Sequence, residues 1–405
     1  MKLDWNHWSL DLLGGCFGIA IALGLVRFDF GIVGSLMAEA QWIAVEDIGK
    51  LAAINMFGYL AGCIQQAYMK SREASIRSIR FAIIVIIVSI IMEGQFSNLT
   101  GQTILRLLSG WGAAHIVSGL PTFALEQVPN QWRRQATGLM MCGGGIGSLL
   151  GAVAIGLFSP TSAPTAWNIL AILTIILSLP TLKLVIRNKQ FKENVAATTK
   201  GSEQDYERLK TNKKSNLLIP IIIMGFALMQ VGQIPAILYE PLVAIKKTGL
   251  TPMMSSSVDS LFGVGLIVGG LIPAVVSDKL TTRIFLPLIS SVGLLGVILL
   301  GFSENVYMLS ASIFLIGVWD MMTGTLTIDR LGQLCNEDAQ RRAWAIATSI
   351  GALGFIIFSA ATAQLSRHNL DLILILGITA VTAQFALEWI QYSLSAKQQS
   401  QLTTD

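Results

Sequence analysis

Charge is scarce in this sequence. Asp, Glu, Lys and Arg make up 13% of it, against about 25% in a soluble domain. Water is therefore excluded as the main solvent of the chain. The net charge of +4 is too small to point to a nucleic-acid partner. Histidine is nearly absent, with three scattered copies. No His-Glu-x-x-His pair or nucleophile elbow occurs, which argues against a membrane-embedded enzyme. No Walker motif occurs either, so ATP is not the direct drive. Of the four cysteines, Cys16, Cys63 and Cys142 lie in apolar runs and Cys335 in a polar loop. None has metal-ligand spacing, so disulfides, zinc and cofactors are not expected. The opening MKLDWNHW has one Lys and no small-residue cleavage site before Ala38, and it reads as the start of a retained first span.

What the sequence does have is oil. Hydrophobic residues make up 53% and the mean hydropathy is +0.64. Runs of about 20 apolar residues mark membrane helices, and they fall near 10–38, 47–68, 80–97, 99–125, 137–158, 165–186, 217–244, 253–276, 284–302, 306–328, 342–365 and 370–394. The expected fold is an all-α membrane protein of twelve transmembrane helices. The hydrophilic stretch 187–216 reads as a mobile cytoplasmic linker between a six-helix half at 1–186 and another at 217–405. With both termini in the cytoplasm most basic residues lie inside, as the positive-inside rule requires. Lys50, Lys246, Lys247 and Arg367 are then the outer ones, while Arg27 and Arg106 lie within spans. In a bacterial source this is the inner membrane.

The halves read as a repeat. An offset of 208 residues pairs Gly62 with Gly270, Trp111 with Trp319, Arg133-Arg134 with Arg341-Arg342, and Gly143 with Gly351. Two parallel six-helix repeats with a site between them near the midplane are a transporter plan.

Several motifs carry a family resemblance. LRLLSGWGAA (105–114) resembles the fourth-span motif of the major facilitator superfamily. GLMMCGGGIGSLLG (138–151) resembles its glycine-rich fifth-span motif without the Gly-Pro. GLIPAVVSDKLTTR (270–283) resembles its loop motif, whose first-half copy, GCIQQAYMKSREASIR (62–77), has lost the acidic residue. LGLVRF (23–28) and NMFGYLAG (55–62) resemble the YbfB/YjiJ-like branch. The resemblance implies two rocking halves, a gating latch between Asp278 and Arg283, and for Arg106 a role in proton coupling or in holding the first span.

The residues themselves suggest a division of labour. Gly143, Gly147 and Gly151 form one small-residue stripe of the fifth span, suited to close helix packing or to a seam that slides during gating. Gly265, Gly269 and Pro273 of the eighth span are the expected opposing stripe. Arg27 and Asp29 lie about 200° apart on an α-helix. Arg27 shares its face with Gly24, Gly31 and Gly34, which points it toward the cavity, and Asp29 should answer a polar group on a neighbouring helix. A buried ion pair that fixes packing and an anion site with a proton-carrying Asp29 both remain open. His115 reads as hydrogen-bonded structure. In the second half, Gln230 and Gln233 share a face before Pro235 and are expected to hydrogen-bond substrate. Glu240 is expected at the outer interface. Asp320 shares a polar stripe with Thr323, Gly324 and Thr327 and is a second protonation candidate. Trp319 stacks on a ligand or packs, and Asn55 lines the cavity or ties helices. Arg133-Arg134, Arg341-Arg342 and Lys279 anchor topology against anionic headgroups.

The expected function is a proton-coupled secondary transporter of a small organic solute, acting as a monomer in the lipid bilayer with no nucleic-acid partner. The rivals are a drug or metabolite efflux antiporter and a non-transporting receptor with a transporter fold. The fifth-span glycines favour export, whereas Arg27 in a mixed-charge cavity favours uptake of an organic anion.

Overall fold

In a computed structural model, residues 7–69, 72–126, 128–129, 132–158, 161–187, 215–275, 282–335 and 337–402 are described, and every regular element among them is helical. The first span is broken into α1 (His7–Ile19), a π-helical segment (Ala20–Phe28) and α2 (Phe30–Glu39). There follow α3 (Val45–Tyr68), α4 (Arg72–Glu93), α5 (Leu99–Ala124), α6 (Arg133–Phe158) and α7 (Ala163–Arg187). The seventh span is also broken, into α8 (Ser215–Gly232) and α9 (Ile234–Thr248). The rest are α10 (Pro252–Val275), α11 (Thr282–Gly301), α12 (Val306–Leu334), α13 (Glu337–His368) and α14 (Leu370–Leu402). The expected linker falls almost wholly outside the described residues.

Ten of these stretches are long and apolar enough to cross a membrane. The chain is an integral multi-pass membrane protein. Helices α3 and α5 are as long but more polar, and they pack together and pair polar groups with each other. Asn55 Nδ2 donates to the Arg106 carbonyl at 3.0 Å and to Ser109 Oγ at 3.2 Å, and Trp111 Nε1 donates to Gln65 Oε1 at 2.7 Å. A helix pair that satisfies its own donors can lie in hydrocarbon despite a modest hydropathy.

Glycines set the spacing of the bundle. A Cβ on Gly58 would lie 2.1 Å from the Leu107 carbonyl oxygen, one on Gly62 2.6 Å from that of Trp111, and one on Gly110 1.9 Å from that of Asn55. The same three contacts recur between α10 and α12. Gly265 meets the Phe314 carbonyl oxygen at 2.3 Å, Gly269 that of Val318 at 2.4 Å, and Gly317 that of Phe262 at 2.4 Å. Every residue of the second set stands 207 positions after its counterpart, one fewer than the sequence offset, so Trp111 answers to Val318 and Gly62 to Gly269. Helix starts repeat in the same way: Asn98 Oδ1 accepts from Gly101 N at 2.8 Å and Asn305 Oδ1 from Met308 N at 3.0 Å, each cap contributing about 1 kcal/mol.

These contacts correct the expected eighth-span stripe. Gly265 and Gly269 face α12, not the fifth span. The glycines of α10 that meet α6 are Gly263, against the Leu149 amide and the Gly145 carbonyl, and Gly270, against Cys142 Sγ. The stripe of Gly143, Gly147 and Gly151 instead receives the first span, at the Cys16 carbonyl, the Ala20 carbonyl and the Asp29 carboxylate. Helix α6 thus packs on two sides, with α1 and the π segment on one and α10 on the other.

Gly58→Val and Gly265→Val should each force helix pairs apart and lower stability by about 1–3 kcal/mol. Gly324→Ala, whose added carbon has its nearest neighbour at 4.0 Å, should be tolerated. Thermal melts of the three detergent-purified variants check this.

Candidate functional site

The centre of the molecule is built on the two helix breaks. In the first, Asp29 N–H donates to the Gly24 carbonyl, five residues back, at 3.1 Å. Such π turns widen a helix and change which residues share a face, so α-helical spacing does not give the faces of Arg27 and Asp29. The widened turn fits because Gly24 lies against the α6 backbone, where a Cβ would stand 2.5 Å from the Ser148 amide. The Val26 carbonyl accepts a hydrogen bond from Arg106 Nη1 at 3.0 Å. Arg106 is buried, with Glu93 at 4.0 Å and its guanidinium 4.0 Å from the Phe30 ring centroid. Of the two roles implied for Arg106, this geometry is that of holding the first span.

The second break is at Gln233. Its carbonyl accepts from the amides of Ala236 and Ile237, both at 3.0 Å, while Pro235 brings no N–H of its own. The break turns Gln230 and Gln233 toward the first span. Arg27 Nη2 donates to Gln230 Oε1 at 3.0 Å. Gln233 lies between Arg27 and Asp320, and one amide orientation, which gives up the hydrogen bond from its nitrogen to Gln230 Oε1, satisfies both. Its oxygen accepts from Arg27 Nη2 at 3.0 Å, and its nitrogen donates to Asp320 at 2.6 Å (Oδ2) and 2.9 Å (Oδ1). The two charges, 9% and 8% exposed, are thus joined through a neutral amide and not in direct contact. Arg27 Nε keeps no partner, so the guanidinium has donor capacity left for a carboxylate. The Phe355 and Phe28 rings flank it, with centroids at 5.0 and 5.7 Å. Farther along α12, the Thr323 and Thr327 hydroxyls are buried and unpartnered.

Four candidates read from the sequence therefore meet: Arg27, Gln230, Gln233 and Asp320. Others do not join them. Asn55 is spent on α5. Trp319 packs into the space over Gly293, where a Cβ would come within 2.4 Å of its ring. His115 hydrogen-bonds Ser78 Oγ and Gln66 Oε1 through Nδ1, at 2.7 and 2.9 Å, and packs edge-on against Trp111. Gly143, Gly147 and Gly151 face the first span. Arg283 Nη1 donates to the Ser395 carbonyl at 3.2 Å and stands over Tyr392. Its expected partner Asp278 and Lys279 lie outside the described residues. Arg133, Arg134, Arg341 and Arg342 fall on helices whose side chains at those positions are also outside the description.

One expectation is overturned: Glu240 is not at the interface but fully buried, and neither carboxylate oxygen has a hydrogen-bond partner. Asp29 is buried as completely. It faces Gly151 and Ser148 of α6, a backbone and a hydroxyl, with no hydrogen bond closed. Sequence reading missed Phe355, Glu93 and Asp259. The last two are acids at the end of or inside an apolar run, a pattern that singles out intramembrane carboxyls; nothing in the spacing singles out Phe355.

With this geometry described, comparison with known proteins adds the following. Residues 19–390 match the family described as "Uncharacterised MFS-type transporter YbfB". No curated protein sequence matches the chain. Among solved structures, one titled "Crystal structure of D-xylose-proton symporter" is similar in fold. Its TM-score is 0.69 at 14% identity, over 93% of this chain and 96% of that one.

Removing Arg106 should release the Val26 carbonyl and leave Glu93 buried without its cation. Arg106→Met is expected to cost about 3–5 kcal/mol, and adding Glu93→Gln should recover part of it. A double-mutant cycle by thermal unfolding in detergent reads the coupling; additive effects would mean the two do not interact.

Proposed function

The chain belongs to the YbfB-like MFS transporter family of the major facilitator superfamily, and on that premise we propose that it carries a small organic anion across the membrane together with protons. It is a transporter and not an enzyme. In the proposed architecture α3 and α5 join the ten apolar stretches to make twelve spans, in two six-helix halves at 1–186 and 217–405 joined by a cytoplasmic linker, with both termini cytoplasmic. Glycine contacts recurring at an offset of 207 support the repeat. The protein works as a monomer by alternating access, in the inner membrane of a bacterial source.

The observation that carries the reading is the Arg27–Gln233–Asp320 bridge between the first, seventh and tenth spans. Arg27 supplies the positive charge, and its unused Nε, beside the Nη2 that reaches Gln230 and Gln233, leaves room for bidentate recognition of a carboxylate. Phe28 and Phe355 suit an apolar portion of the solute next to the charge. Gln230 and Gln233 hydrogen-bond it, and the buried Thr323 and Thr327 hydroxyls extend the site along α12. Asp320 is the proton carrier: once a solute carboxylate occupies Arg27, the local charge is negative unless Asp320 is protonated. Arg106 holds the π turn that presents Arg27 and takes no proton. Uptake follows from coupling the anion to protons that move down an inward gradient, and the fifth-span glycines, which hold the first span, do not argue for export.

A melting-shift panel of organic acids, sugars, amino acids and hydrophobic drugs at about pH 5.5 and 7.5 tests this by mass action. Monocarboxylates or dicarboxylates should stabilise the wild type and leave Arg27→Ala unmoved. In proteoliposomes Asp320→Asn should abolish proton-driven accumulation while keeping solute exchange across the membrane. Hits confined to neutral or cationic compounds, or hits that ignore Arg27, would overturn the anion reading.

A further inference from the structure

A second polar layer lies apart from the Arg27 set, at the junction of α2, α9 and α10. Three carboxyl groups are buried there: Asp29 and Glu240 at 0% exposure and Asp259 at 5%. Both oxygens of Asp29, both of Glu240 and Oδ2 of Asp259 have no hydrogen-bond partner. Asp29 lies within electrostatic range of Asp259 and near Ser148, and Glu240 within range of Asp259 and near Ser255. The two cations along the first span are engaged elsewhere, Arg27 by Gln230 and Gln233 and Arg106 by the Val26 carbonyl and Glu93.

Independent features point to a ligand. Ser148 Oγ and Ser255 Oγ, 0% and 3% exposed, face the acids and are themselves unpartnered. A cavity of about 20 Å³ adjoins the cluster between Ser35 and Glu39 of α2, Pro241 and Ile245 of α9, and Ser255 and Ser256 of α10. It has room for one water and runs toward Glu39, which is exposed. Among the described residues no trio of His, Cys, Asp or Glu gathers closely enough to hold a metal ion. Three ionised carboxylates cannot share an uncompensated site in hydrocarbon, so the compensating charge has to be small and divisible.

We propose that Asp29, Glu240 and Asp259 form a second proton site, which fills as the Glu39 end of the molecule closes and empties as it opens. This rests on the alternating-access reading above. Helices α2 and α9 are in backbone contact next to the cluster: a Cβ on Gly31 would stand 2.2 Å from the Ile237 carbonyl oxygen. Closing that contact strips water from the acids, so each must be neutral. Opening it admits water, the carboxyls ionise, and their mutual repulsion holds α2, α9 and α10 apart. The hydroxyls of Ser148 and Ser255 accept from protonated carboxyls, and water in the cavity carries the proton to Glu39.

The test is labelling of Ser256→Cys, at the cavity wall, by a polar maleimide on the full-length protein in detergent. The rate of Ser256→Cys is corrected for the parent protein and divided by that of free glutathione at each pH. Between about pH 5.5 and 8.5 it should rise roughly fivefold or more as the end opens. Combined neutralisation by Asp29→Asn, Glu240→Gln and Asp259→Asn should keep it slow throughout. If that triple variant fails to fold, Asp259→Asn alone should move the opening midpoint to higher pH, because fewer acids are left to drive the helices apart. A flat profile in Ser256→Cys with the three acids intact, or an unchanged midpoint in the neutralised variants, overturns the proposal. Slowing by sodium chloride but not choline chloride at the higher pH also overturns it, since the ion is then sodium. The readout needs neither solute nor flux, so its failure leaves the Arg27 reading standing, and silence in the solute panel leaves this one standing.

Discussion

The hydrogen bond from Arg106 Nη1 to the Val26 carbonyl is the contact on which the central architecture depends. A widened turn inside a membrane protein frees backbone groups that have no water to turn to. Here an arginine donates to a carbonyl of the widened segment, and Glu93 and the Phe30 ring share the burden of its charge. The seventh span solves the same problem with Gln233, whose own carbonyl restarts α9. Both breaks place polar side chains at the middle of the molecule, where unbroken apolar helices would have offered only hydrocarbon. The cost of burying Arg106 is thus tied to the geometry of Arg27.

Around these breaks the bundle separates into stiff and soft contacts. Gly58, Gly62 and Gly110, and their counterparts Gly265, Gly269 and Gly317, bring backbone against backbone. At these contacts backbone meets backbone, with no side chain to change rotamer, which leaves each pair little room to slide there. The Gly31–Ile237 contact is just as close in space, but it sits beside three carboxyls whose charge depends on water. Two seams with similar packing therefore differ in what borders them: neutral hydrogen bonds such as those of Asn55 in one, a set of ionisable groups in the other.

The fold was legible because its signals are long. Runs of apolar residues gave the helices to within a few residues at most ends, and the positions of Gln230, Gln233 and Asp320 in one face or stripe survived into space. Errors came where helix geometry departs from 3.6 residues per turn or where partner helices had to be guessed. The π turn puts Gly24, expected on the face of Arg27, against α6 beside Asp29. Gly265 and Gly269 were matched to the fifth span, because a stripe of small residues announces a close neighbour without saying which one. Glu240 is expected at the outer interface, where a charge reaches water, whereas it is fully buried beyond the break at Gln233. Phe355 lies 328 residues from Arg27 in the chain, and no local pattern marks an aromatic that packs beside a distant guanidinium.

The neutral amide between Arg27 and Asp320 bears on how the proposed cycle can turn. A direct buried ion pair would be costly to break, because each partner would be left charged and alone in a poor solvent. With Gln233 interposed, each charge already rests on a hydrogen bond that can be exchanged for another. An incoming carboxylate takes over the Arg27 donors, and the amide keeps its hold on Asp320. The site then carries one positive and two negative charges, and a single proton on Asp320 restores neutrality. The charge balance of the site sets one proton for each monoanion, and two for a dianion unless a second cation is recruited. Of the groups placed at this centre, Arg27 alone brings positive charge, so a dianion has to find its second neutralising charge among protons.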